Sequence, residues 1–118
     1  MKGVLLIAHG SRATETEAAF EAIQSMVKAK LPGKAIEIAF MGNSERTVEK
    51  GICSLAEKGI AEIKVVPYFL FMGIHMKEDI PGLVAKYAEK YPQIAITMGG
   101  HLGIDERLAD ILVDRING

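Results

Sequence analysis

Lys2-Gly3-Val4-Leu5-Leu6-Ile7-Ala8-His9-Gly10-Ser11-Arg12 is the stretch that decides the fold of this 118-residue chain. Val4 to Ala8 form a continuous apolar run between two glycines. At that length it reads as a strand buried on both faces, the kind that parallel sheets contain, rather than as a helix. Directly beyond the run stand an imidazole, a glycine that permits a sharp turn, a hydroxyl and a guanidinium. Open α/β sheets bind ligands outside the carboxyl ends of their strands, so His9, Ser11 and Arg12 begin where a site is expected.

Downstream, the pattern alternates between helix and strand. Thr14 with Glu17 has the form of a capping box, and Phe20, Ile23 and Val27 recur at helical spacing, which predicts a helix over 14–30 stopped by Pro32-Gly33. Ala35 to Met41 is rich in β-formers and reads as strand two. Gly42-Asn43-Ser44 offers a turn and a cap to a helix reaching about Lys58, which Gly59 ends. Ile63 to Met72 is the most apolar segment and exceeds the ~5–6 residues of an ordinary strand, so part of it overruns the sheet. Pro81 suits the first turn of a third helix extending to about Tyr91. Ile94 to Met98 is a short fourth strand. Asp105 can cap a last helix with Leu108, Ile111, Leu112 and Ile116 on one face. Four βα units in succession predict a single α/β domain over residues 1–118, a four-stranded parallel sheet with helices on both faces.

Composition narrows the function. Fourteen basic against fifteen acidic residues give a net charge of −1, which excludes the broad positive surface of nucleic-acid binders. No apolar run approaches the ~20 residues of a membrane span, and the expected setting is cytoplasmic. One cysteine, Cys53, excludes an internal disulfide and a multi-cysteine metal site, and reads as a small filler on a helix. Histidine is more telling. His9 leaves strand one, His75 follows strand three and His101 leaves strand four, so all three fall on one edge of the sheet. Imidazoles there can bind a divalent metal or move protons. Arg12, Arg46 and Lys77 stand near the same rim and can hold carboxylates or phosphates. Ser11 lacks a Gly-x-Ser-x-Gly elbow, and its hydroxyl is better suited to bonding the backbone of the next helix than to nucleophilic attack.

Ala8-His9-Gly10-Ser11-Arg12, the segment ending Pro67-Tyr68-Phe69-Leu70-Phe71, and Gly73-Ile74-His75-Met76-Lys77-Glu78-Asp79-Ile80-Pro81 together resemble the short sirohydrochlorin chelatases. These belong to the anaerobic cobalt chelatase family, which has nickel and iron variants. The likeness runs through Leu102-Gly103 and Leu108-Ala109-Asp110-Ile111-Leu112, so it covers nearly the whole chain. It implies a three-layer class II chelatase fold whose short subunits form a homodimer, each corresponding to half of a longer two-domain relative. By the same likeness His9 and His75 are the metal ligands and catalytic residues. Ser11, Arg12, Arg46, Met72, Gly73 and Lys77 form the expected substrate-binding set. The implied reaction inserts a divalent metal, cobalt foremost with nickel and iron as alternatives, into sirohydrochlorin. That substrate is a reduced tetrapyrrole with eight carboxylates, and neither ATP nor an organic cofactor is used.

This sequence departs from the family pattern twice. An acidic residue often follows strand two, where this chain has Gly42, with Glu45-Arg46 in place of the following Glu-Pro. Many relatives have histidine where Asp105 stands, so His101 inherits no role. The residue chemistry fits metal insertion on its own terms, because neutral imidazoles hold borderline ions through few, exchangeable bonds and can accept pyrrole protons. Met41, Met72, Met76 and Met98 sit at strand exits and can either conform to a macrocycle or fill the core. The apolar overrun Phe69 to Met76 is suited to pairing with a second subunit. Two other classes are weighed. The His9-Gly10 pair also resembles phosphoglycerate mutases, but Ala8 stands where those enzymes need arginine. A non-catalytic metal or tetrapyrrole carrier would share the same ligands without turnover.

Overall fold

Residues 2–118 are described in the computed structural model, apart from the side chain of His75. Four βα units follow one another: β1 (Lys2–His9), α1 (Thr14–Lys30), β2 (Ala35–Met41), α2 (Val48–Glu57), β3 (Glu62–Pro67), α3 (Ile74–Lys90), β4 (Ala95–Met98) and α4 (Glu106–Asn117). All strand pairs are parallel and the sheet order is β2-β1-β3-β4. The continuous apolar run of β1 thus lies between two neighbours, with helices above and below it. That is why its residues show no alternation.

The period of two along each strand sorts the core into two clusters. Leu6, Ala8, Ile36, Ile38 and Phe40 face α1 and pack on its Phe20. Leu5, Ile7, Ala39, Ile63 and Val65 face the other way, onto Ile52 and Leu55 of α2 and Ile80 and Tyr87 of α3. Each fully buried side chain of this size contributes ~1.5–3 kcal/mol, so the two clusters hold the three layers together. Gln24, the one buried polar residue among those described, donates its amide Nε2–H to the Ile36 carbonyl at 2.7 Å, tying α1 to β2.

Several local expectations are corrected. The Thr14–Glu17 capping box does not form: Ala13 is the N-cap of α1, without a side-chain cap, and its N–H donates to Ser11 Oγ at 3.1 Å. Ser44 does not cap α2. Thr47 does, accepting from the Lys50 N–H, while Ser44 Oγ accepts from the Arg46 N–H. Strand three ends at Pro67, so the overrun is a loop over 68–73. Helix α3 begins at Ile74, well before Pro81, which stands inside it. Proline removes the N–H that would reach the carbonyl four residues back. Here that carbonyl belongs to Lys77, and the loss falls on an exposed side of the helix, where water can meet it.

The last helix has the predicted cap, Asp105 accepting from the Arg107 N–H at 2.9 Å, and the predicted apolar face. That face covers nothing: no residue of α4 is buried, and none joins either core cluster.

Candidate functional site

The carboxyl edge of the sheet brings the sequence-predicted residues together by backbone placement. His9 ends β1 beside Met41, which ends β2. The Tyr68 N–H donates to the Ile7 carbonyl at 2.7 Å, so the chain after β3 is still strapped to β1 as it leaves the sheet. This strap sets Phe69 against His9, with ring centroids 4.6 Å apart and planes at 64°. An edge-to-face pair of this kind holds an imidazole in place while leaving its nitrogens to other partners. Phe69 was expected in an exposed patch with Phe71, Met72 and Ile74. It is instead 7% exposed, whereas Phe71 and Ile74 are 79% and 80% exposed.

Gly10 fixes the turn that follows. Its N–H donates to the Met41 carbonyl at 3.3 Å, and a Cβ on Gly10 would lie 1.5 Å from the Gly42 carbonyl oxygen. Gly42 itself has φ +83 and Asn43 φ +52, both left-handed. The two exit loops therefore pass so closely that only glycine fits at position 10, and Gly42 takes its left-handed turn without the steric cost that a side chain would add.

His75 lies in the first turn of α3 on the same edge; its side chain, the second predicted metal ligand, is outside the described residues. His101 sits in the loop after β4, is exposed, and has Nε2 3.2 Å from where a Gly103 Cβ would stand. Among the described residues no group of three or more His, Cys, Asp or Glu side chains is arranged to hold a metal.

The expected substrate-binding residues divide. Arg12 and Lys77 are exposed at the rim. Arg46 instead reaches α1, its Nη1 3.0 Å from Glu21 Oε1. Ser11 Oγ is engaged by the Ala13 amide, Met72 is half-buried against the α2/α3 core, and Gly73 is the N-cap of α3. Met41 and Met76 also pack on that core, so three of the four exit methionines have the core-filling role, and Met98 remains 37% exposed.

Sequence reasoning did not foresee the cavity beside His9. It measures about 360 Å³ and is lined by Thr16 and Phe20 of α1, Phe40 of β2, and Tyr68 and Phe69. These residues are scattered along the chain, and only the crossing of α1 over the sheet's edge unites them. Farther away, on the α2/α3 side, the Tyr91 hydroxyl is pushed up by hydrogen bonds to Cys53 Sγ and Glu49, 3.5 Å and 2.7 Å away. This explains the half-buried position of Cys53 without a role at the rim.

Over residues 3–118 the chain matches the CbiX family. It is 38% identical over 117 residues to a sirohydrochlorin ferrochelatase of Priestia megaterium, a match that takes in 99% of this chain and 44% of that protein. With a sirohydrochlorin cobaltochelatase of Methanopyrus kandleri it shares 31% identity, covering 98% of this chain and 95% of that one. The chain thus spans about half the length of the ferrochelatase relatives and nearly all of the cobaltochelatase. The crystal structure of the sirohydrochlorin chelatase SirB from Bacillus subtilis subspecies spizizenii in complex with cobalt superposes with a TM-score of 0.90 at 33% identity, over 98% of this chain and 50% of that one. With its α/β fold, its His9-Gly10 turn and a family match running from β1 through α4, the chain belongs to the CbiX family.

Proposed function

We propose that this chain is a single chelatase domain over residues 1–118 that inserts a divalent metal, cobalt first, into sirohydrochlorin or a closely similar tetrapyrrole. The observation that carries the reading is the placement of His9 at the carboxyl end of β1 and His75 in the first turn of α3, on one edge of a sheet matched end to end by sirohydrochlorin chelatases. His9 and His75 hold the incoming ion and take the pyrrole protons. Both tasks need neutral imidazole, because a protonated ring can neither ligate nor accept. Arg12 and Lys77, with Arg46 once released from Glu21, meet the carboxylates of the macrocycle. Ser11, Met72 and Gly73 shape the turns beneath it.

The 360 Å³ cavity is at the low end of the ~300–1,000 Å³ found for sites of drug-sized ligands, so it takes one edge of a tetrapyrrole and the rest lies across the rim. A second subunit over that rim completes the enclosure, and the proposed working form is a homodimer. No helix among the described residues is long and apolar enough to cross a membrane. The unpaired thiol of Cys53 suits the reducing cytoplasm, which we take as the setting. Iron or nickel replaces cobalt in a second reading, favoured by the ferrochelatase relatives. Initial rates of insertion into sirohydrochlorin with cobalt, nickel and ferrous iron test the proposal. Acceleration over the uncatalysed rate without ATP is expected, fastest with cobalt. Binding of sirohydrochlorin without acceleration by any metal would make the protein a carrier instead.

A further inference from the structure

His9 is exposed at the very end of β1, so burial in its own strand does not fix the imidazole. A histidine in the open has three staggered settings of χ1 and a broad χ2, and each aims the ring nitrogens differently. A ligand that must meet an ion together with a second residue, from another element, needs one of these settings to be held.

Phe69 stands against that ring, and its own place is fixed several times over. On one side the Tyr68 N–H donates to the Ile7 carbonyl at 2.7 Å, tying the chain to β1. On the other the Phe69 carbonyl accepts the Leu102 N–H at 3.1 Å, tying it to the loop after β4. Its side chain joins the core cluster of Leu5, Ile7, Val65 and Ile80 and is 7% exposed. The next two residues do the opposite, Leu70 being 51% and Phe71 79% exposed. The loop therefore turns inward at the residue that touches His9. A phenyl ring anchored in the core has little freedom to yield, so the edge-to-face contact closes one side of the imidazole's rotation and leaves its nitrogens open.

We propose that Phe69 is a positioning residue for metal insertion: it confines His9 to the one rotamer in which the imidazole takes up the ion and passes it on. This rests on the chelatase reading of His9 and adds to it the residue that sets the ligand. Misplacement of a reacting group by ~1 Å can cost on the order of a hundredfold in rate. Because Phe69 is nearly closed to solvent, its loss is felt in ligation and turnover rather than in the hold on the macrocycle.

Two variants test this, with circular dichroism to check folding: Phe69→Leu stays apolar and loses the ring, and Phe69→Tyr keeps the ring. Three-bond couplings across χ1 of His9 in histidine-labelled protein, assigned with His9→Ala, report the rotamer. Titration with cobalt alone reports ligation, and steady-state insertion into sirohydrochlorin reports turnover. Wild type should show a single His9 rotamer and a nuclear Overhauser contact between the rings of His9 and Phe69. In Phe69→Leu the couplings should average, and cobalt affinity and kcat should each fall at least about tenfold, with KM for sirohydrochlorin within about threefold. Phe69→Tyr should stay close to wild type in all of these. Averaged couplings in wild type overturn the proposal, and so does a folded Phe69→Leu protein with undiminished cobalt affinity and kcat. Equal impairment of the two variants also overturns it, since that would make Phe69 a matter of bulk packing. Should Phe69→Leu fail to fold, wild type and Phe69→Tyr decide: one rotamer and undiminished insertion in both support the proposal, and a fixed His9 with insertion lost in Phe69→Tyr overturns it. A wild type that does not accelerate insertion removes the chelatase reading, while the couplings and the cobalt affinity still judge whether Phe69 sets His9 as a ligand.

Discussion

His9 is held by its neighbours rather than by ion pairs: Phe69 lies edge-on against the ring, and the turn after it is locked by the contact of Gly10 with Gly42. An imidazole held in this way keeps its nitrogens available to another partner. If His9 and His75 act as a unit, alanine at either position should lower cobalt insertion at least a hundredfold, and the double variant should be little worse than either single one. His101→Ala, which changes an exposed loop residue, should stay within about tenfold of wild type, or ~1.4 kcal/mol of barrier. Initial insertion rates with folding verified by circular dichroism check this, and a folded His9→Ala protein near wild-type activity would move the metal elsewhere. His9 was legible from sequence because a histidine directly after a buried strand must surface at the ligand-binding edge. Phe69 was not. Beyond the end of a strand the alternation of faces stops, and nothing in an apolar run says which side chain turns inward and which, like Phe71, turns out.

Among the elements, β1, β2 and α1 were readable to within about two residues, since periodicity and the flanking glycines agree, whereas the apolar run of β3 hid its end at Pro67. The starts of α2 and α3 were not. Ser44 and Thr47 are both acceptable caps, and only the path of the backbone chooses between them. Pro81 signals a first turn by propensity, yet the burial of Ile80 and Tyr87 on the core keeps a helix running through it. The junction of β2 with α2 offers an electrostatic test. Burial pushes the Glu37 carboxyl up, but hydrogen bonds from Lys58 and Ser54 and the charge of Lys58 together hold it below the ordinary value. A carboxylate with a depressed folded pKa contributes its full stability above the unfolded value, ~4.3. It loses that contribution as pH falls through the folded value. Because the Lys58 ammonium is half exposed, the pair is worth at most ~1 kcal/mol. The urea midpoint should therefore fall between pH 6 and pH 3, and less steeply in Glu37→Gln, which keeps a hydrogen-bonding side chain without the charge. Equal slopes in the two proteins would show that Glu37 plays no part in the acid sensitivity.

At the scale of the whole molecule, a net charge of −1 gives no general attraction for the proposed substrate with its many carboxylates, so on that reading the pull must be local to the rim. On the proposed reading three features supply it, unequally. Lys77 lies in the first turn of α3, whose amino-terminal amides have no side-chain cap and add partial positive charge at the same edge. Arg12 is exposed on the loop after β1. Arg46 is already engaged by Glu21, and must exchange one carboxylate for another before it can serve the substrate. Alanine at Arg12 or Lys77 should accordingly raise the KM for sirohydrochlorin several-fold with kcat nearly constant, the mark of lost uniform binding. Arg46→Ala should raise it less, since the wild-type guanidinium gains little by the exchange. The ordering also predicts the salt response: raising ionic strength from ~0.05 to ~0.5 M shortens the reach of these exposed charges and should increase the wild-type KM more than that of either Arg12→Ala or Lys77→Ala. Steady-state kinetics on the three variants at two salt concentrations settle the matter. Were KM unchanged in all of them, the macrocycle would have to be held by its apolar faces and by the partner subunit, and the charges at the rim would be ordinary solvated surface.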